Sequence, residues 1–177
     1  IAEVLDRAEV LRTKRHAALV QLDTLTQSIF LDMFGDPATN PKGWPVKKFG
    51  EFLSDAEVFV DGDWVESKDQ DPNGEVRLVQ LADIGDGNYI NKSARFLNRQ
   101  TALRLKCTLL RVGDILVARM PDPLGRACIF PGDPKESVTV VDVCIIRPTN
   151  TGPDPLWLMC CINSKGFRGS IARQATG

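Results

Sequence analysis

The sequence is poor in the residues that perform chemistry. It holds one histidine, His16, and an odd set of five cysteines, Cys107, Cys128, Cys144, Cys160 and Cys161, with no pair two residues apart. That pattern excludes a Cys/His metal cluster and argues against a disulfide frame. Thiols lying in apolar runs fit a reducing cytoplasm instead. No apolar run is long enough to span a membrane. The first residues, Ile1-Ala2-Glu3-Val4, acquire charge at once, unlike a signal peptide. With no initiator methionine, the chain reads as a fragment or a processed product. No P-loop lysine motif occurs, and Gly85-Asp86-Gly87 lacks the third glycine of a dinucleotide fingerprint. Asp61-Gly62-Asp63, and Asp83 with Asp86, lack the sixth-position glycine and distal glutamate of a calcium loop. Asn40-Pro41 and Asp122-Pro123 are followed by Lys42-Gly43 and Leu124-Gly125, not by the second proline and aromatic of an amino-methyltransferase. No catalytic triad is available, because His16 lies in a helical segment outside the globular part. These absences predict a non-enzyme without cofactor or metal.

Positive charge is also scarce. The net charge is −1 over 177 residues, where DNA-binding domains usually carry a basic excess. Local clustering matters more, since phosphates respond to local potential. Lys92, Arg95, Arg99, Arg104 and Lys106 form one group, Arg119 and Arg126 a second, and Lys165, Arg168 and Arg173 a third, while acids concentrate from Asp55 to Asp71. The alternative reading is a set of ordinary solvated faces.

Along the chain, Val4, Ala8, Leu11, Arg15, Ala18, Leu22, Leu25 and Ile29 recur by alternating steps of four and three. This is a heptad seam interrupted once, at Arg15. Gly35-Asp36-Pro37 ends the segment. The spacing predicts a helix over residues 1–35, roughly 45 Å long by its rise per residue. Such a helix needs a partner, either another helix through Leu11, Ala18, Leu22, Leu25 and Ile29, or the surface of its own domain. Residues 36–45 read as a linker, and residues 46–177 as an α+β domain. Val76 to Leu81 alternates like a half-buried strand. Arg99 to Lys106 suggests a short helix capped by Asn98. Ile115–Arg119 and Arg126–Phe130 read as strands. Val138 to Arg147 reads as one central strand enclosing Asp142, an acid that needs a partner. Pro155–Ile162 and Ser164–Gln174 read as helices, the second amphipathic and basic.

The stretch from Gly113 to Gly132 carries the strongest functional signal. Arg119 enters and Arg126 leaves a loop stiffened by Pro121, Pro123 and Gly125. Arginine grips guanine O6 and N7 by two parallel bonds, or phosphate without reading sequence. Arg119, Met120, Asp122 and Arg126 are therefore candidate DNA-binding residues. The competing reading pairs Arg126 with Asp114 or Asp142 and leaves the prolines to shape a turn. Gln80 and Asp83, at a strand end, form a second tier, and Trp64 with Asp63 and Ser67 could line the same cleft or belong to the core. Lys92, Arg95, Lys165, Arg168 and Arg173 are candidates for phosphate contact.

The Gly113–Gly132 stretch resembles the target-recognition domain of type I restriction-modification specificity subunits. Gln27–Pro37 followed by Asn40–Pro45 resembles the passage from a long helix into such a domain. The likeness runs from about Leu11 to Gly177 and is strongest over residues 27–45 and 113–147. It implies a long coiled-coil-forming helix followed by a mixed α/β target-recognition domain with a curved, mainly antiparallel sheet. In that family two recognition domains each read half of a split target. Two long helices separate them and dock the modification subunits, and catalysis belongs to the partners. The resemblance thus implies double-stranded DNA, modification and restriction subunits, and a second recognition domain or a homodimer as partners, with no membrane. This chain departs in having one helix and one recognition domain, and it stops where a second helix would begin. It reads as a truncated half or as a half-size subunit that pairs with its copy. Two other readings stay open: the recognition part of a fused restriction-methyltransferase enzyme, and a coiled-coil protein–protein adaptor.

Overall fold

A computed structural model describes residues 2–121 and 124–175. Helix α1 runs from Ala2 to Phe34. It stops where Gly35 adopts a left-handed φ of 80° and donates its N–H to Leu31 O at 2.8 Å. Lys42 Nζ then bonds the carbonyls of Asp32 and Met33 at 2.7 and 2.9 Å. Trp44 Nε1 bonds Phe34 O at 3.0 Å. These donors satisfy carbonyls that a helix end leaves open.

Beyond the linker, α2 (Phe49–Phe52) leads into β1 (Val58–Asp61). Then come β2 (Val76–Val79), β3 (Phe96–Leu97), α3 (Arg99–Arg104), β4 (Ile115–Ala118) and β5 (Ala127–Ile129). The chain continues through β6 (Ser137–Thr139), β7 (Val143–Arg147), α4 (Pro155–Asn163) and α5 (Lys165–Gln174). Asn98 caps α3 by accepting from Thr101 N at 2.8 Å, as the sequence predicts. Asp154 and Ser164 cap α4 and α5 in the same way.

The strands form two sheets instead of the one curved sheet expected. One is four-stranded, in the order β1-β7-β4-β5, and antiparallel throughout. The other is three-stranded, in the order β3-β2-β6, with β2 parallel to β6. Val138–Arg147 is accordingly not one strand. Its first residues pair with β2 in one sheet and its last join the other, so the chain turns at Val140–Asp142 to change sheets, with Val143 N bonded to Val140 O at 3.0 Å. Asp142 sits half-buried in that turn and not within a strand. β2 also departs from the expected alternation, because Val76, Arg77, Leu78 and Val79 are all buried.

Successive strand residues point to opposite faces, and both faces of the four-stranded sheet are covered. Ile115 and Ile146 pack with Leu158, Met159 and Ile162 of α4 and with Phe30 of α1. Leu116, Val143 and Ile145 face the other way, toward Val79, Ile84 and Phe130. Val76, Leu78, Leu97, Ala102 and Val138 form a third cluster under α3.

Helix α1 answers the question of its partner in two ways. Its last turns dock on the home domain, where Phe30 and Phe34 stack with Trp157 and Gln27 Nε2 bonds Cys160 O at 3.3 Å. Upstream of that, Val4, Leu11, Leu22 and Leu25 are exposed. The linker is held as well: a Cβ on Gly166, in α5, would meet Asp36 Oδ1 at 2.2 Å and Ala38 Cβ at 2.4 Å. Only a glycine lets the helix approach so closely.

Candidate nucleic-acid interface

The β4–β5 hairpin positions the loop residues. Ala118 N bonds Arg126 O and Gly125 N bonds Ala118 O, each at 2.9 Å, closing the loop at its base. Arg119 leaves the end of β4 with its N–H on Asp142 O at 2.9 Å. Its guanidinium turns sideways, placing Nη1 2.8 Å from Asp61 Oδ2 and 3.1 Å from Val141 O. Met120 is exposed beside it, and Asp122 lies outside the described residues. Arg126 takes a different direction. It is half-buried, and its Nη2 donates to Leu81 O at 2.9 Å, joining the hairpin to the turn after β2. The two guanidiniums therefore do not converge on one space. Nor is Asp114 the partner of Arg126, since Arg147 holds both its oxygens at 2.7 Å. That fork raises the pKa of Arg147 through its hydrogen bonds to Asp114.

Asp83 is sealed inside the domain. It is 0% exposed and accepts from Gln80 N at 2.8 Å and from Lys92 N and Ser93 N at 2.7 Å each. It also takes the Ser93 hydroxyl and faces the buried Arg77 guanidinium at 3.5 Å. Burial works to raise its pKa, yet the bonds from Gln80, Ser93 and Lys92 leave it below the ordinary value. Asp83 thus ties the loop at residues 92–93 to the end of β2.

Gln80 has a different position, half-buried on the wall of an open cleft of about 560 Å³. Asp63, Trp64, Ser67, Val141 and Asp142 share that wall, so Trp64, Asp63 and Ser67 do line one cleft with Gln80. Trp64 is 71% exposed and stands outside the core. Burial pushes the Asp63 carboxyl up against the lowering effect of its bond from Thr108 N, which is 3.0 Å long. Asp61, Glu66 and Lys68 are not among the DNA-binding candidates read from the sequence. They arrive beside Arg119 or the cleft only because β1 and the segment after it fold across β7.

The three basic groups are partly engaged within the domain, some by carboxylates and some by neutral acceptors. Arg95 bonds Gln70 at 2.8 Å, Arg99 pairs with Glu136 at 3.0 Å and Arg104 with Asp69 at 2.5 Å. Arg168 forks onto both oxygens of Asp86 and reaches Asn163 at 2.7 Å. Arg173 contacts Ser170. Lys92 and Lys165 are exposed and form no ion pair among the described residues.

Burial pushes the thiols of Cys107, Cys128 and Cys144 up to about 12 and that of Cys161 to about 11, and it raises Cys160 too. Such thiols stay protonated and are poor nucleophiles. Among the described residues no cluster of histidine, cysteine and carboxylates could hold a metal, and no helix is long and apolar enough to cross a membrane. What this face offers is directional hydrogen bonding: the exposed Arg119 beside a cleft lined by the Trp64 indole and by carboxylate and amide groups.

No protein-family model matches the sequence, and no curated protein matches it either. Solved structures resemble the fold, two of them as follows. The HsdS subunit from Thermoanaerobacter tengcongensis superimposes with a TM-score of 0.58 at 18% identity, over 98% of this chain and 40% of that one. A chain from a structure of the type I R-M system, described for its complex assembly and conformational transition, gives a TM-score of 0.55 at 19% identity, over 90% of this chain and 37% of that one. The chain thus spans less than half the length of either, and its fold is that of a part of an HsdS subunit.

Proposed function

We propose that this chain is a non-catalytic, sequence-specific DNA-recognition module of a type I restriction-modification specificity subunit, reading one half of a split target in double-stranded DNA. The observation that carries the reading is the fold likeness to an HsdS subunit over 98% of the chain, long helix included. In the cytoplasm the module directs modification and restriction subunits, which supply the catalysis. Its helix forms a coiled coil with the helix of a second recognition domain or a second copy. The exposed Leu11, Leu22, Leu25 and Ile29 support this pairing, with Ala18 between them.

Base readout falls to Arg119, with Met120 and Asp122 beside it and Gln80 on the cleft wall. Lys92 and Lys165 make phosphate contacts, while Arg95, Arg168 and Arg173, of the same basic groups, stay with their internal partners Gln70, Asp86 and Ser170. Arg126 supports the hairpin from behind.

Selection of bound duplexes from a randomised DNA pool tests the reading. The wild-type chain enriches a short half-site. Arg119→Ala relaxes one position of it at a cost of about 1–3 kcal/mol. Lys92→Ala and Lys165→Ala weaken binding to all sequences and flatten the salt dependence. A chain that binds no duplex at low salt, or enriches no sequence, overturns the proposal.

A further inference from the structure

We infer that Asp61 aims Arg119, so that the free edge of the guanidinium reads a guanine in the bound duplex. The inference rests on the DNA-recognition reading above and assigns the positioning residue of that site.

The register of the four-stranded sheet brings the pair together. Asp61 stands opposite Cys144 of β7. Val117 stands opposite the same Cys144 from the other side, and Ala118 stands opposite Val143. Side chains two apart along a strand share a face, so Asp61, Cys144, Val117 and Arg119 line up on one side of the sheet, at its end. There Arg119 is tied twice. Its backbone N–H bonds Asp142 O at 2.9 Å. Its Nη1 lies between Asp61 Oδ2 at 2.8 Å and Val141 O at 3.1 Å. Among the described residues, Nε and Nη2 have no partner.

That division of the guanidinium suits a base edge. Guanine presents O6 and N7 side by side, and two parallel N–H groups match them. With Nη1 engaged, the edge carrying Nε and Nη2 remains as a planar two-donor fork. Its orientation is set before DNA arrives, which reduces the freedom lost on binding. The same geometry is ill suited to phosphate. Asp61 cancels much of the charge of Arg119 and would itself be repelled by the backbone, whereas exposed Lys92 and Lys165 carry no such companion. An exposed ion pair contributes little to stability, so the effect of this one lies in orientation. Arg95 differs, held by a neutral amide through one nitrogen.

The test is selection from randomised duplex DNA with the full chain, comparing wild type with Asp61→Ala, Asp61→Asn and Arg119→Ala. Salt titrations on the selected site and circular dichroism accompany it. Asp61→Ala is expected to lose preference at the same single position as Arg119→Ala, by roughly tenfold. Its affinity for unrelated duplexes holds or rises and its salt dependence steepens, because the released arginine becomes free to meet phosphate. Asp61→Asn, which keeps an acceptor oxygen, loses less. The double variant Asp61→Ala/Arg119→Ala is no worse than Arg119→Ala at that position. A folded Asp61→Ala protein that keeps full wild-type preference overturns the inference while leaving DNA recognition intact. So does one that loses affinity equally for every sequence. A wild-type chain that enriches no sequence overturns the recognition reading itself.

Discussion

Asp83 collects donors from two separate stretches of chain around one carboxylate, and removing it would leave those donors and Arg77 buried without it. Asp83→Ala is expected to destabilise the domain by about 3–5 kcal/mol, the range for breaking a buried charged pair, read from urea denaturation. The pH dependence follows from the lowered pKa. The unfolded chain binds the proton more readily, so the contribution of Asp83 is complete above the ordinary aspartate value and is lost as pH falls through the lower folded value. Urea midpoints should therefore drop as pH falls below the ordinary aspartate value, and Asp83→Asn should flatten that drop. The cysteines give a second residue-scale outcome. With thiols pushed up to about 12 at Cys107, Cys128 and Cys144, iodoacetamide at about pH 8 should label the native protein slowly and the urea-unfolded protein at every cysteine. Mass spectrometry that finds one thiol labelled rapidly in the native state would contradict the picture of inert, buried sulfur.

At the scale of the element, α1 has a docked end and an exposed length. Its C-terminal end belongs to the home domain through Phe30, which is 5% exposed. Phe30→Ala is expected to cost about 3–5 kcal/mol, as for other buried aromatics, and to loosen the helix from α4. Leu22 and Leu25 face outward. Replacing both with Asp should leave the thermal transition of the domain in place and abolish self-association or partner docking. Sedimentation velocity checks this: an unchanged mass together with unchanged partner binding removes the coiled coil. The contrast between the two experiments separates an internal contact from an intermolecular one on a single helix.

At the scale of the whole molecule, charge governs what DNA binding would look like. The net charge is −1, and most arginines of the basic groups are paired internally. Few cations are left for phosphate, so the salt slope of binding should be shallow, corresponding to about two to four phosphate contacts. Titration of the selected duplex against salt measures it. A steep slope would mean that Arg95, Arg99, Arg104 and Arg168 abandon their partners on binding.

The sequence by itself determined the local features. The heptad spacing and Gly35 set the long helix and its end, Asn98 capped α3, and the apolar runs around Gly113 marked β4 and β5. These are legible because period, propensity and capping act over a few residues. The tertiary structure decided which side chains meet. Val138–Arg147 reads as one apolar strand, and only pairing with β2 and then with β1 and β4 breaks it between two sheets. Asp83 and Gln80 stand three positions apart with similar polarity, yet one is sealed inside while the other lines a cleft. Arg119 and Arg126 bracket one loop in sequence but point to Asp61 and Leu81 in space. Direction and burial depend on strand register and on partners distant in the chain, so no local pattern encodes them.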